Sequence, residues 1–225
     1  MKRALASLLG FAALAGVGWM LLTSLAPGAW IASWAPCPRN WGWTSAWLPR
    51  ASPLASEPIR FSRGQAKICY GRPSLRGRTM LGGDAVPFGR LWRTGANEPT
   101  TLHLNVPAEM GELFLEPGSY ALYTVPRAHQ WEVVVNRSTR QWGLESLYDE
   151  TLESQEVGRF RLPVETLASP VETLTIRPVP MGGDFWTLQL AWERSRIRIP
   201  LRAVSRSRLG EEPVEELPPL DDGLD

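Results

Sequence analysis

The chain of 225 residues contains little cysteine and little histidine, with two of each. Zinc-ribbon arrays, disulfide-rich scaffolds and multi-haem proteins need several such residues, so these classes are excluded. The sequence also has no Gly-x-Ser-x-Gly nucleophile motif, no nucleotide-binding loop and no haem-attachment motif. We therefore expect no metal site, no cofactor and no enzyme activity.

Charge is absent from a long segment near the start of the chain, where no charged residue occurs between Arg3 and Arg39. Ala4 to Ala26 is an almost uniformly apolar stretch of 23 residues. As a helix it spans roughly 35 Å, enough to cross a hydrocarbon core of about 30 Å. A cleaved secretory signal is the open alternative, although its apolar region usually covers only about 7 to 15 residues. The length favours a transmembrane anchor over residues 1–27.

The orientation of that anchor follows from the positive charges before it. Lys2 and Arg3 are expected to stay in the cytoplasm, because basic flanks are retained on that side. The rest of the chain is then exported. In a bacterium this predicts an inner-membrane protein with its main domain in the periplasm.

Tryptophan is concentrated near the start, with six of 11 inside the first 47 residues. These are Trp19, Trp30, Trp34, Trp41, Trp43 and Trp47. Indole rings favour the lipid headgroup region, which suggests an interfacial belt. Tryptophan is also enriched at binding hot spots, which suggests docking to a larger membrane complex. Both interpretations remain open for residues 28–58, which we predict to be an interfacial linker rich in Trp and Pro.

Short apolar runs with a period of two follow the linker. Leu102, Leu104 and Val106 alternate with His103 and Asn105, as in a strand with one buried face. Strands are predicted at residues 66–70, 101–106, 112–115, 119–125, 131–136, 157–163, 172–177, 185–193 and 196–201. Only residues 141–156 allow a helix. The pattern predicts a mainly β fold, an antiparallel and jelly-roll-like β-sandwich over residues 59–205.

Several strings in this region resemble the bacterial DUF2911 family. They include Cys69-Tyr70-Gly71-Arg72-Pro73, Pro117-Gly118-Ser119-Tyr120 and, most specifically, Trp92-Arg93-Thr94-Gly95-Ala96-Asn97-Glu98. The resemblance covers about residues 66–202. It implies an exported β-rich domain and brings no established activity.

The polar residues of these strings are the candidate ligand-binding residues. They are Arg72, Arg76, Arg78, Arg93, Asn97 and Glu98. Guanidinium, amide and carboxylate groups in one loop could bind a carbohydrate or a small anion. Such residues equally well satisfy loop backbone in a sandwich, and this structural role is favoured.

The remaining reactive side chains leave further alternatives. Cys69 could pair with Cys37 in an oxidising compartment or remain a buried thiol. His103 lies on the strand face opposite Leu102 and Leu104, and His129 lies in a predicted turn, with no Gly-x-Ser-x-Gly motif in the sequence. A hydrolase is therefore the least favoured function.

The near-neutral total charge conceals segregated charges. Eight basic residues and one acid lie between Arg60 and Arg93, whereas seven acids and no base lie between Leu209 and Asp225. Residues 206–225 are predicted to be an acidic tail, either solvated or covering a basic face. Nucleic acid is not expected as a partner of an exported domain.

Together these patterns predict a non-catalytic, membrane-anchored periplasmic protein. We expect an accessory or assembly subunit of a larger integral membrane complex, of respiratory or photosynthetic type. The alternative is a tethered domain that binds a carbohydrate or an anion.

Overall fold

The computed structural model describes residues 31–37, 50–139, 145 and 148–205. The predicted anchor, the predicted acidic tail and most of the predicted linker lie outside these ranges. Within them, no helix is long and apolar enough to cross a membrane.

The described chain contains ten strands, one short helix and a helical turn at residues 31–34. The strands are β1 (Leu54–Phe61), β2 (Gly64–Gly71), β3 (Thr100–Leu104), β4 (Ala108–Met110), β5 (Leu113–Leu115), β6 (Gly118–Val125), β7 (Gln130–Asn136), β8 (Glu156–Pro163), β9 (Glu165–Gly182) and β10 (Phe185–Ala203), with helix α1 (Glu150–Glu153) before β8. A six-stranded sheet has the order β1-β2-β3-β6-β7-β8, and a four-stranded sheet has the order β5-β4-β10-β9. All strand pairs are antiparallel.

The two sheets share one hydrophobic core, which makes the fold a sandwich. Alternate residues of β2 point inward, so that Ile68 is fully buried among side chains from both sheets. At the centre, Trp92 stacks on Trp192 with ring centroids 5.5 Å apart. The edge of Trp131 meets Trp92 at 6.2 Å. Burying such large rings stabilises the fold by roughly 1.5–3 kcal/mol for each side chain.

The predicted mainly β, antiparallel fold is confirmed, and the differences concern individual strands. β1 begins at Leu54, inside the segment predicted as linker up to residue 58. The strand was not predicted from the sequence, because Pro58 lies within it and proline usually marks the end of a strand. β1 is the edge strand of its sheet, where a proline can be accommodated.

The two strands predicted over residues 185–193 and 196–201 form one bent strand, β10. The amide of Ala203 donates to the carbonyl of Asp184 at 3.1 Å, so the two ends of β10 lie side by side. A straight strand of 19 residues would hold them roughly 60 Å apart. Register shifts lie on both sides of Glu193, whose φ is 51°, and irregularities of this kind bend a strand.

Candidate functional site

Residues 31–37, called the strap below, cross the outer face of the six-stranded sheet. Residues 31–34 are helical, and Ala32 and Ser33 are only 5% and 4% exposed. The side-chain amide of Gln65 donates to the carbonyl of Ser33 at 2.9 Å. Because β2 points alternate residues to opposite faces, Gln65 meets the strap while its neighbour Ala66 enters the core.

A disulfide joins the strap to the sheet. Cys37 is bonded to Cys69, 32 residues further along the chain. Cys69 lies on the same face of β2 as Gln65. The sequence left this pairing open. The bond closes the chain between the strap and β2 into a loop, so the strap is held covalently on the sheet.

Lys67 lies between Gln65 and Cys69 on this face and contacts the strap as well. Its ammonium group donates to the carbonyl of Ala35. The side chain is buried, and burial lowers the pKa of Lys67 to about 8, because a charged amine loses solvation there. Sequence reasoning missed Lys67, since nothing in the strand pattern indicated that this face would be covered.

His103 faces Lys67 across the pair of strands β2 and β3. Its Nδ1 atom lies 2.8 Å from the hydroxyl of Ser119, and its Nε2 atom is buried with no partner among the described atoms. Burial, aided by the charge of Lys67, lowers the pKa of His103 to about 3, so the ring is neutral.

The Ser119–His103 pair has the distance of a nucleophile and a base, but its surroundings differ from those of a catalytic triad. A triad has a carboxylate on the second ring nitrogen. In the described part of the chain, that nitrogen has no partner and the neighbouring charge is the cation Lys67. Nor do three His, Cys, Asp or Glu side chains come together there to hold a metal ion.

A second cluster ties the domain to residues 50–53, called the lead-in segment below. The carboxylate of Glu98 accepts two hydrogen bonds from the guanidinium of Arg50, at 2.6 and 2.8 Å. The two side chains are 6% and 11% exposed. Glu98 raises the pKa of Arg50, because the bonds favour its charged form.

Three further bonds reach the lead-in segment. Asn97 donates its side-chain amide to the carbonyl of Ser52 at 3.3 Å, and Arg76 donates to the carbonyl of Ala51 at 2.9 Å. The backbone amide of Arg72 donates to the carbonyl of Pro53, also at 2.9 Å. The structure thus brings four of the six predicted ligand-binding residues together on one stretch of the chain itself.

The guanidinium groups of the predicted site also have partners within the domain. Arg93 pairs with Glu145 at 3.2 Å and donates to the carbonyl of Asn97 at 3.1 Å. Arg72 donates to the carbonyl of Leu174, and Arg78 donates to those of Leu75 and Ser74. These contacts support the structural role of the six residues, and ligand binding by them stays a prediction.

The loop that carries Arg93, Asn97 and Glu98 has an unusual backbone. Thr94 and Asn97 have φ values of 58° and 68°, a region that β-branched residues in particular avoid. Thr94 is held there by bonds from its hydroxyl to Trp92 and Thr124 and by a bond from Thr100 to its carbonyl. Such strain persists only where surrounding contacts over-determine the backbone, as these three bonds do at Thr94.

Of the tryptophans predicted to dock on a membrane or partner, Trp34 lies in the strap and is 65% exposed. The other five, at positions 19, 30, 41, 43 and 47, lie outside the described residues. The strap therefore turns its small residues Ala32 and Ser33 toward the sheet and an indole ring outward.

Comparison with known proteins gives one match. A family profile described as "Protein of unknown function (DUF2911)" matches residues 52–201, from the lead-in segment into the last part of β10. The searches of curated proteins and of solved structures found no match.

Proposed function

The chain belongs to the DUF2911 family, and we propose that it is a non-catalytic accessory or assembly subunit of an integral membrane complex. Residues 1–27 anchor it in the bacterial inner membrane with the N-terminus in the cytoplasm. The jelly-roll-like β-domain lies in the periplasm, against the periplasmic surface of the complex. A complex of respiratory or photosynthetic type fits this arrangement.

The observation that carries the proposal is the attachment of the strap to the sheet. The predicted anchor ends at residue 27, and the strap begins at residue 31. Four residues span at most about 14 Å, whereas a free linker over residues 28–58 would reach roughly 100 Å. Because the Cys37–Cys69 bond and the contacts of Lys67 and Gln65 hold the strap, the domain stays close to the membrane.

A fixed attachment suits a subunit better than a freely searching binding domain. A domain on a long flexible tether samples a large volume, while one held at its base presents the same face to its neighbours. The strap holds the domain at its base, and Trp34 of the strap is exposed close to the predicted anchor in sequence. A large, rigid indole at this place favours a protein contact at membrane level.

The disulfide supports the predicted compartment. Disulfides persist in oxidising environments such as the periplasm and are rare in the reducing cytosol. A bond that attaches the strap to the sheet would be lost in the cytosol. Its position therefore fits export of the domain with Cys37 and Cys69 on the periplasmic side.

The second function weighed, recognition of a carbohydrate or an anion by Arg93, Asn97 and Glu98, gains no support from their contacts. Glu98 is 5% exposed and bonded to Arg50. A ligand at these groups would have to displace the bonds that hold the lead-in segment.

Extraction with a mild detergent, followed by native gel electrophoresis and protein identification, tests the proposal. We expect the chain to migrate with a stoichiometric integral membrane partner. A matched variant, with both Cys37 and Cys69 changed to serine, should remain in the membrane but lose much of the partner on dilution. Recovery of the natural chain as a lone monomer would contradict the proposal.

A further inference from the structure

A cleft of about 850 Å³ opens at one end of the sandwich. It lies between the turn that joins β1 to β2, the connection before β4, and the turn that joins β9 to β10. Its lining includes the apolar side chains Val106, Pro117 and Phe185 and the arginines Arg63 and Arg202.

The carboxylate in the cleft is already engaged. Asp184 accepts hydrogen bonds from the amide and the hydroxyl of Ser62, at 2.6 and 2.5 Å. These bonds, with the nearby charge of Arg63, lower the pKa of Asp184. The bonds join the two turns and shape the wall of the cleft.

The two arginines point to an anionic occupant. The guanidinium of Arg202 lies over the ring of Phe185, 5.2 Å from its centroid, and is thereby oriented. Both arginines are exposed, and in the described ranges neither forms a salt bridge with a carboxylate. Guanidinium groups bind carboxylates in a bidentate manner, so a chain segment with several carboxylates matches this surface.

The last described residues, 203–205, line the same cleft. The amide of Ala203 donates to the carbonyl of Asp184 at 3.1 Å, and the amide of Val204 donates to that of Pro107 at 3.0 Å. Ser205, the last described residue, is part of the lining. Residues 206–225 therefore start at the site, with seven acids and no base from Leu209 onward.

We propose that this cleft is the docking site of the chain's own acidic segment, residues 209–225. Its carboxylates pair with Arg63 and Arg202, and its apolar residues Val214, Leu217 and Leu220 cover Val106 and Phe185. Direct linkage favours this occupant, because a short connection gives an effective concentration on the order of millimolar. A competing acidic segment of another protein would have to displace it.

Binding of a labelled peptide with the sequence of residues 206–225 tests the proposal by fluorescence anisotropy. The receptor is the full chain with its seven tail acids changed to amides, at Glu211, Glu212, Glu215, Glu216, Asp221, Asp222 and Asp225. We expect the peptide to bind this variant roughly tenfold more tightly than the natural chain, whose own tail competes for the cleft. High salt should weaken the binding.

Second substitutions in the amide-tail variant locate the site. Arg63→Gln and Arg202→Gln should each weaken peptide binding roughly fivefold, and Arg202→Lys should weaken it less because the charge is kept. Arg127→Gln, at an exposed arginine in the turn between β6 and β7, is the matched control and should change nothing. Because Arg63 is exposed, its variant keeps the test decisive even if Arg202→Gln disturbs folding.

Three results would overturn the proposal. The first is no peptide binding to the amide-tail variant at low salt. The second is equal binding by the natural chain and the amide-tail variant, which would place the peptide at another site. The third is an equal loss with Arg63→Gln and Arg127→Gln, which would indicate nonspecific attraction to a basic domain.

Discussion

The carboxylate of Glu98 and the guanidinium of Arg50 form a bidentate ion pair that is almost completely buried. It joins the most distinctive string of the sequence, Trp92 to Glu98, to the lead-in segment. The loop predicted to bind a ligand thus holds the lead-in segment in place.

Loss of the Arg50–Glu98 ion pair should lower the free energy of unfolding substantially. Glu98→Gln leaves the charge of Arg50 buried without its counter-ion, which typically costs about 3–5 kcal/mol. Urea denaturation of the purified chain measures the free energy of unfolding. Arg161→Gln, which removes an ion pair with Glu132 from an arginine whose side chain is 67% exposed, should cost about 1 kcal/mol or less. Equal losses in the two variants would contradict this expectation.

Two substitutions of Asn97 separate its hydrogen bond from its backbone conformation. Asn97→Gly and Asn97→Ala both remove the bond to Ser52, worth about 1 kcal/mol. Only alanine is penalised further by the φ of 68°, by about 1–2 kcal/mol. Thermal unfolding should therefore show alanine as the less stable variant. Glycine equal to or worse than alanine would argue against the left-handed backbone at this position.

The disulfide should stabilise the domain by holding the strap in place. Changing both Cys37 and Cys69 to serine opens a loop between residues 32 positions apart and should cost about 3 kcal/mol. Guanidinium denaturation of the natural chain with and without reductant gives an independent measure. If neither reduction nor substitution changed the midpoint, the bond would contribute nothing to stability.

The buried His103 should make stability depend on pH. Its folded pKa of about 3 lies below its usual value, about 6.5. Between these values the unfolded chain binds a proton that the folded chain does not, so the free energy of unfolding falls as the pH falls. His103→Gln should flatten this fall between about pH 6.5 and 5, above the range where most carboxyl groups titrate.

The exposed residue His129 provides the control for that measurement. His129→Gln removes one histidine without touching the strap and should keep the slope of the natural chain. A slope that is the same for His103→Gln and the natural chain would mean that the imidazole is solvated in the folded state.

Much of the fold could be predicted because local alternation reports burial directly. Leu102 and Leu104 showed which face of β3 enters the core, and the structure places them there. β1 was not predicted because Pro58 breaks a strand pattern. The edge position of β1 in the sheet is what allows a proline there. The bend in β10 was not predicted, because nothing in the sequence around Glu193 indicates that its φ is positive.

The site was less predictable because its contacts are distant in sequence. The outward position of His103 followed from the period of its strand, no face was predicted for Lys67, and an outward residue is normally solvated. Both are nonetheless buried, and Lys67 donates to the carbonyl of Ala35 in the strap, 32 positions away in the sequence. In the same way, the sequence identified Asn97 and Glu98 as a polar loop without indicating that Ser52 and Arg50 would be their partners.

The most direct test of the central claim is site-specific cross-linking from the strap in native membranes. A photoreactive amino acid at position 34 of the full chain, where Trp34 is 65% exposed, should capture one integral membrane protein in stoichiometric yield. The same group at Met181, which is 53% exposed on the domain, should not capture that protein. Capture of lipid alone at position 34, with the chain recovered as a monomer, would contradict the proposed subunit role.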